Sequence, residues 1–165
     1  MVITGAPRSG TTYLANLLGW NHEEAYGIGS TDEILAGPAD TPEVSWLAIP
    51  HLKGRQALVG HLIRHPQRCV ASMIATGYFL PCNTLGQYLY RYTSTWDPWL
   101  QWMRWIEMCE EVSQFTIRLE DIQHLGPSRH ANSSSHFIPI PDSLLLSIES
   151  FASHYHYTLL EGVLT

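Results

Sequence analysis

The stretch Val2–Gly19, "VITGAPRSGTTYLANLLG", decides the fold. Its first half is short, apolar and β-branched and ends in glycine and proline, while Leu14, Leu17 and Leu18 recur at helical spacing. The reading is strand, loop, helix. Gly5 and Gly10 bracket four residues as in G-x-x-x-x-G-K-[ST], but Thr11 occupies the lysine position and the basic residue comes earlier, as Arg8. A glycine-rich turn lets backbone N–H groups approach an anion, and the helix N-terminus behind it adds partial positive charge. Thr11 and Thr12 add hydroxyl donors and Arg8 a permanently charged fork, so the loop is expected to bind phosphate or an anion of similar shape.

The rest of the chain bounds what such a loop can serve. With 165 residues, 45% hydrophobic and 15% charged, the expectation is one globular domain spanning 1–165. The net charge is −6 and Lys53 is the only lysine, so a broad polybasic surface for nucleic acid or membrane is not expected. Any anion site must be local and built mainly from arginine. Cys69, Cys82 and Cys109 are odd in number and lack CxxC spacing, which argues against a disulfide framework or zinc knuckle and for a reducing, cytoplasmic setting. No leader pattern and no apolar run of membrane-spanning length is found.

From Asn21 to Lys53, repeated glycine and proline predict loops and short helical pieces. The apolar run Ala57–Ile63 reads as a buried parallel strand, with Pro66 opening a helix that runs to Gly77. "TWDPWLQWMRWIEMCEEV" (95–112) carries an Asp97-Pro98 start signal and apolar residues at Trp99, Trp102, Met103 and Ile106, the pattern of a long amphipathic helix. "FTIRLEDI" (115–122) alternates Phe115, Ile117 and Leu119 with polar residues and reads as a strand. "SRHANSSSH" (128–136) is a polar loop, and "PDSLLLSIESFASHYHY" (141–157) is helical. This element order predicts a three-layer α/β/α domain with a parallel central sheet.

A nucleoside-triphosphate enzyme of this kind needs the loop lysine and an acidic magnesium partner at the end of a neighbouring strand. That strand ends instead in Arg64-His65-Pro66. A cation in that place makes a second anion site, and two separated anion sites point to a bis-phosphorylated nucleotide.

"GAPRSGTTYLANLL" resembles the 5′-phosphosulfate-binding loop of sulfotransferases that use 3′-phosphoadenosine 5′-phosphosulfate (PAPS). "IRHPQRCVASM" resembles their 3′-phosphate-binding segment, with Arg64 and Ser72 at its eight-residue offset, and "IRLEDI" is similar to the "RYEDL"-like strand of many members. The three matches fall in order over about the first 120 residues. The resemblance implies a P-loop NTPase-like sulfotransferase fold and transfer of a sulfuryl group from PAPS to an acceptor hydroxyl or amine, releasing adenosine 3′,5′-bisphosphate. It implies that Pro7, Arg8, Ser9, Gly10, Thr11 and Thr12 hold the 5′ side and Arg64 and Ser72 the 3′-phosphate, with Arg8 also stabilising the leaving group. No metal is called for, and no histidine pair has metal-ligand spacing such as H-E-x-x-H.

A hydroxyl acceptor needs a general base. In related sulfotransferases this is a glutamate in a "GEE"-like motif after the first helix, which "EEAYGIGSTDEI" (23–34) resembles with an insertion. Glu33 is therefore the first candidate, ahead of Asp32, Glu24 and His51. His61 and His65 flank the expected strand end and are read as structural hydrogen-bonding groups; Arg118, Glu120 and Asp121 are read as supports of the fold. Trp96, Trp99, Trp102 and Trp105 recur every three residues, a pattern of a buried helix face from which one or two rings could reach a pocket.

Nothing after Leu125 resembles the "RKGxxGxWK" segment with which many cytosolic members close over the 3′-phosphate. The acceptor, whether small molecule, sugar or protein tyrosine, is not named by the sequence. Two other readings remain: a P-loop kinase or NTPase, and a nucleotide-binding module without catalysis.

Overall fold

The computed structural model describes residues 1–26, 42–126 and 138–160. Its frame is a five-stranded, wholly parallel sheet: β1 (Val2–Gly5), β2 (Asn21–His22), β3 (Glu43–Val44), β4 (Val59–Ile63) and β5 (Phe115–Arg118), in the order β2-β3-β1-β4-β5. The helices are α1 (Thr11–Leu18), α2 (Pro66–Ala75), α3 (Thr84–Thr93), α4 (Pro98–Val112), the short α5 (Leu119–Ile122) and α6 (Leu145–His154), with 3-10 segments at Trp46–His51 and Asp142–Leu144. The fold class is α/β, as the sequence predicts.

Strand periodicity sorts the core onto two faces. Ile3, Val44 and Leu62 pack with Leu14 and Ala15 of α1 on one face, joined by the half-buried Leu119 and Ile122. Val2 and Val59 face the other way, into a larger core with Val70 and Met73 of α2 and Trp99, Trp102, Trp105 and Ile106 of α4. Ile63 meets Ala152 and Tyr157 on or after α6. The tryptophan spacing is thus accounted for by burial, while Trp96 stacks on Tyr90 with ring centroids 4.4 Å apart.

Local chemistry explains the element starts. Asp97 caps α4 by accepting a hydrogen bond from the Leu100 N–H at 2.8 Å, and Pro98 occupies the first turn, where no amide proton is needed. Pro66 does the same for α2. Two expectations are corrected, and one helix is added. "FTIRLEDI" is a strand only to Arg118, after which Leu119–Ile122 turn into helix and carry Leu119 over Gly10 of the β1–α1 loop. Asn21–Lys53 contributes two strands as well as a 3-10 segment, and Thr84–Thr93 forms a helix that the periodicity did not announce.

The order of the strands positions the site. β1 and β4 are neighbours, with Gly5 in register with Leu62, and the chain leaves β1 for α1 on one face and β4 for α2 on the other. Such a switch point opens a crevice at the carboxyl ends of the two strands, where open α/β sheets bind ligands.

Candidate functional site at the carboxyl ends of β1 and β4

The loop between β1 and α1 is held by its carbonyl groups. The Trp105 indole N–H of α4 donates to Gly5 O at 3.1 Å, the Cys69 thiol of α2 donates to Pro7 O at 3.2 Å, and Arg64 Nη1 donates to Arg8 O at 3.0 Å. Ala6 O accepts from the Ser9 N–H at 3.0 Å. Four successive acceptors, Gly5 to Arg8, are therefore committed to the protein. The amides of the first turn of α1 have no intrahelical acceptor by the geometry of a helix start, and they define the donor-rich side of the loop.

Backbone conformation makes this shape. Gly10 adopts φ 103° and Arg8 φ 68°, the left-handed region, which glycine enters freely and arginine enters at a cost. A Cβ on Gly10 would lie 2.8 Å from both Leu119 methyls, and one on Gly5 would run into Leu62 O and lie 2.6 Å from Ser9 Oγ. Ser9 is buried and its hydroxyl has no hydrogen-bond partner among the described residues, an orphaned donor within the loop.

The two anion-binding segments expected from sequence meet here. Arg8 Nε donates to Ser72 Oγ at 3.0 Å, so loop and α2 are joined directly, and Arg64 closes the same circuit through Arg8 O. Ser72 is buried on α2.

A further group was not predicted. His22, at the end of β2, brings Nε2 within 3.2 Å of Thr12 Oγ1, 3.3 Å of Thr11 Oγ1 and 3.4 Å of Glu23 Oε1. Burial lowers the His22 pKa and so favours the neutral ring. Burial, with the nearby Glu43 carboxylate adding to it, pushes Glu23 up to about 7. Glu43 itself is buried on β3; burial raises its pKa against the opposing effect of the Ala25, Glu24 and Tyr26 backbone N–H groups. The sequence held one signal for this group: two polar residues, His22 and Glu23, one helix length after the loop threonines.

The other base candidates separate from the loop or from description. Glu33 and Asp32 lie outside the described residues. Glu24 is exposed in the turn after β2. His51 ends the first 3-10 segment with Nε2 3.3 Å from the Tyr88 hydroxyl.

The later motif residues tie elements together. The Glu120 carboxylate accepts from the His65 N–H at 3.0 Å and from the Tyr157 hydroxyl at 2.8 Å, and the Arg118 guanidinium lies 4.6 Å from the Tyr157 ring centroid. His65 Nε2 pairs with Thr158 O at 3.0 Å, in keeping with its structural reading. His61 departs from that reading: it lies in the middle of β4, fully buried, and neither ring nitrogen has a hydrogen-bond partner among the described residues.

Among the described residues no group of histidine, cysteine and acidic side chains could hold a metal, and no helix is long and apolar enough to cross a membrane. No family model matches the chain, and no curated protein matches it by sequence. Among solved structures, the chain is similar to mouse sulfotransferase SULT7A1 complexed with PAP, at a TM-score of 0.43 and 14% identity. That match covers 97% of this chain and 60% of the other, so the chain spans about three-fifths of that protein's length.

Proposed function

We propose that the protein is a PAPS-dependent sulfotransferase, transferring a sulfuryl group to an acceptor hydroxyl or amine and releasing adenosine 3′,5′-bisphosphate. The observation that supports this reading is the circuit Arg64–Arg8–Ser72, which joins the two segments read from sequence as anion-binding at the switch point. A triphosphate site would need the loop lysine and a magnesium-holding carboxylate there; here Thr11 takes the lysine position, Arg8 lies earlier in the loop, and Arg64 follows β4 where the carboxylate would stand.

In this reading the amides at the start of α1, the Ser9, Thr11 and Thr12 hydroxyls and Arg8 receive the 5′-phosphosulfate. The Pro7 carbonyl, anchored by Cys69, keeps the loop open toward it. Because the loop carbonyls are already committed, the donors face the departing phosphate oxygen without a competing acceptor, a preorganised electrostatic arrangement. Arg64 and Ser72 receive the 3′-phosphate. The acceptor proton goes to Glu33, which remains the assigned base. Nothing in this scheme routes a step through a metal.

The domain assignment 1–165 and a cytoplasmic setting belong to the same proposal. The test is turnover: with PAPS and a panel of phenolic, sugar and tyrosyl-peptide acceptors, adenosine 3′,5′-bisphosphate should form with chelator present. Magnesium-dependent turnover of ATP in its place would move the protein to the kinase and NTPase reading.

A further inference from the structure

A cavity of about 590 Å3 opens between α4, α6 and the start of β5, a volume typical of small-molecule sites. None of the residues placed at the β1–β4 crevice lines it. Its walls include the rings of Trp102, Phe115 and Phe151, and its charged lining is acidic: Glu107 and Glu110, with no lysine or arginine among the described lining residues. Glu110 is held in place by the Tyr155 hydroxyl, which donates to its carboxylate at 2.8 Å.

The lining also contains His61, buried in the middle of a strand with both ring nitrogens unpaired among the described residues, which leaves a donor and an acceptor unsatisfied there. Such groups are rare in folded proteins and costly without compensation. The Tyr155 ring, also in the lining, stands nearly perpendicular to the imidazole, with centroids 6.4 Å apart. An aromatic enclosure with two carboxylates and no cation attracts a flat apolar body that carries positive charge and repels an anion.

We propose that this cavity is a second ligand site, distinct from the phosphate loop, for a small organic cation of the arylalkylamine class. The ligand ring packs among Trp102, Phe115 and Phe151, and the ammonium group pairs with Glu107 and Glu110. The His61 ring, on the cavity wall, meets a polar group on the ligand or a water that accompanies it.

The experiment is calorimetric titration of the whole chain with phenethylamine, 2-phenylethanol and phenylacetate, repeated with saturating adenosine 3′,5′-bisphosphate. Phenethylamine should bind, phenylacetate should not, 2-phenylethanol should bind more weakly than the amine, and the bisphosphate should leave amine affinity unchanged. Glu107 and Glu110 are exposed helix positions, so Glu107→Gln/Glu110→Gln should keep the fold while weakening the amine by about tenfold, as loss of charge-assisted pairing predicts. Ser150→Trp, which fills the cavity from α6, should abolish binding. Equal binding of amine and carboxylate, unchanged affinity in the double glutamine variant, displacement by the bisphosphate, or no binding of any of the three compounds overturns the proposal.

Discussion

Arg8 and Ser72 lie 64 positions apart and are joined by a 3.0 Å hydrogen bond from Arg8 Nε to Ser72 Oγ. The bond fixes the direction of a side chain whose own backbone sits in the left-handed region, so loop and α2 hold each other in register. Arg8→Ala and Ser72→Ala should therefore be non-additive in unfolding experiments, with a coupling of about 0.5–1.5 kcal/mol. Strictly additive losses in a double-mutant cycle would mean that the contact does not organise the loop.

Removing one carbonyl clamp should loosen the loop from behind. Trp105→Phe keeps an aromatic ring but removes the indole N–H from Gly5 O and leaves a small cavity at this fully buried position, a combined loss of at least about 1–3 kcal/mol in stability. Affinity for adenosine 3′,5′-bisphosphate should fall with it, although residue 105 is not proposed to touch the ligand. Unchanged denaturation midpoint and unchanged affinity together would show that the clamp is dispensable.

Gly10 is required twice over, by its φ of 103° and by the approach of Leu119. Gly10→Ala should cost about 1–3 kcal/mol. Adding Leu119→Ala should relieve the steric part of the Gly10→Ala loop defect, but it creates a cavity of its own, so the pair should be less destabilised than the sum of the single variants. Chemical denaturation of the four proteins tests this; a doubly substituted chain as unstable as the sum of the singles would contradict the contact.

Two titrations should act on stability with opposite sign. Burial lowers the His61 pKa from 6.5 to about 4, so the unfolded chain takes up a proton that the folded one refuses as pH falls from 6.5 to 4. Stability is lost over that window, by at most roughly 3 kcal/mol. Glu23, raised from 4.5 to about 7, contributes stability that is complete below 4.5 and is lost as pH rises through 7. Thermal unfolding from pH 4 to 8 should therefore show less acid destabilisation in His61→Phe and a shallower decline toward pH 7 in Glu23→Gln, each by a few degrees in Tm. Curves parallel to the parent's would contradict the assignments.

Much of the fold was legible because its signals are local. The β-branched run before Gly5, the leucine spacing of α1, Pro66 and the Asp97-Pro98 cap each act within a few residues. The two-residue strands β2 and β3 are too short to carry a period and exist only because they pair with β1 and each other. Asn83 caps α3 by accepting from the Leu85 and Gly86 N–H groups, and Gly86 within the helix is required because a Cβ there would lie 2.5 Å from Tyr78 O and Leu80 O. Arg8, Arg64 and Ser72 could be singled out together from residue types and from the offset of the resembled segment. Their joining through Arg8 Nε and Arg8 O could not, and neither could the His22 ring beside the loop threonines, since both depend on which strands become neighbours.

The base assignment makes a separate prediction. Glu33→Gln should lower transfer from PAPS by about 100-fold or more, the usual scale for losing general-base assistance, while bisphosphate affinity stays within a factor of about two. Full activity in Glu33→Gln would remove that residue from the mechanism and direct attention to the His22–Glu23 pair.

The central claim is a crevice with two anion anchors, and calorimetric titration with adenosine 3′,5′-bisphosphate, AMP and magnesium-ATP tests it most directly, with Arg64→Ala alongside the parent chain. The account predicts clear preference for the bisphosphate, and a loss in Arg64→Ala that is much larger for the bisphosphate than for AMP. Preference for magnesium-ATP, or equal losses for ligands with and without the 3′-phosphate, would contradict it.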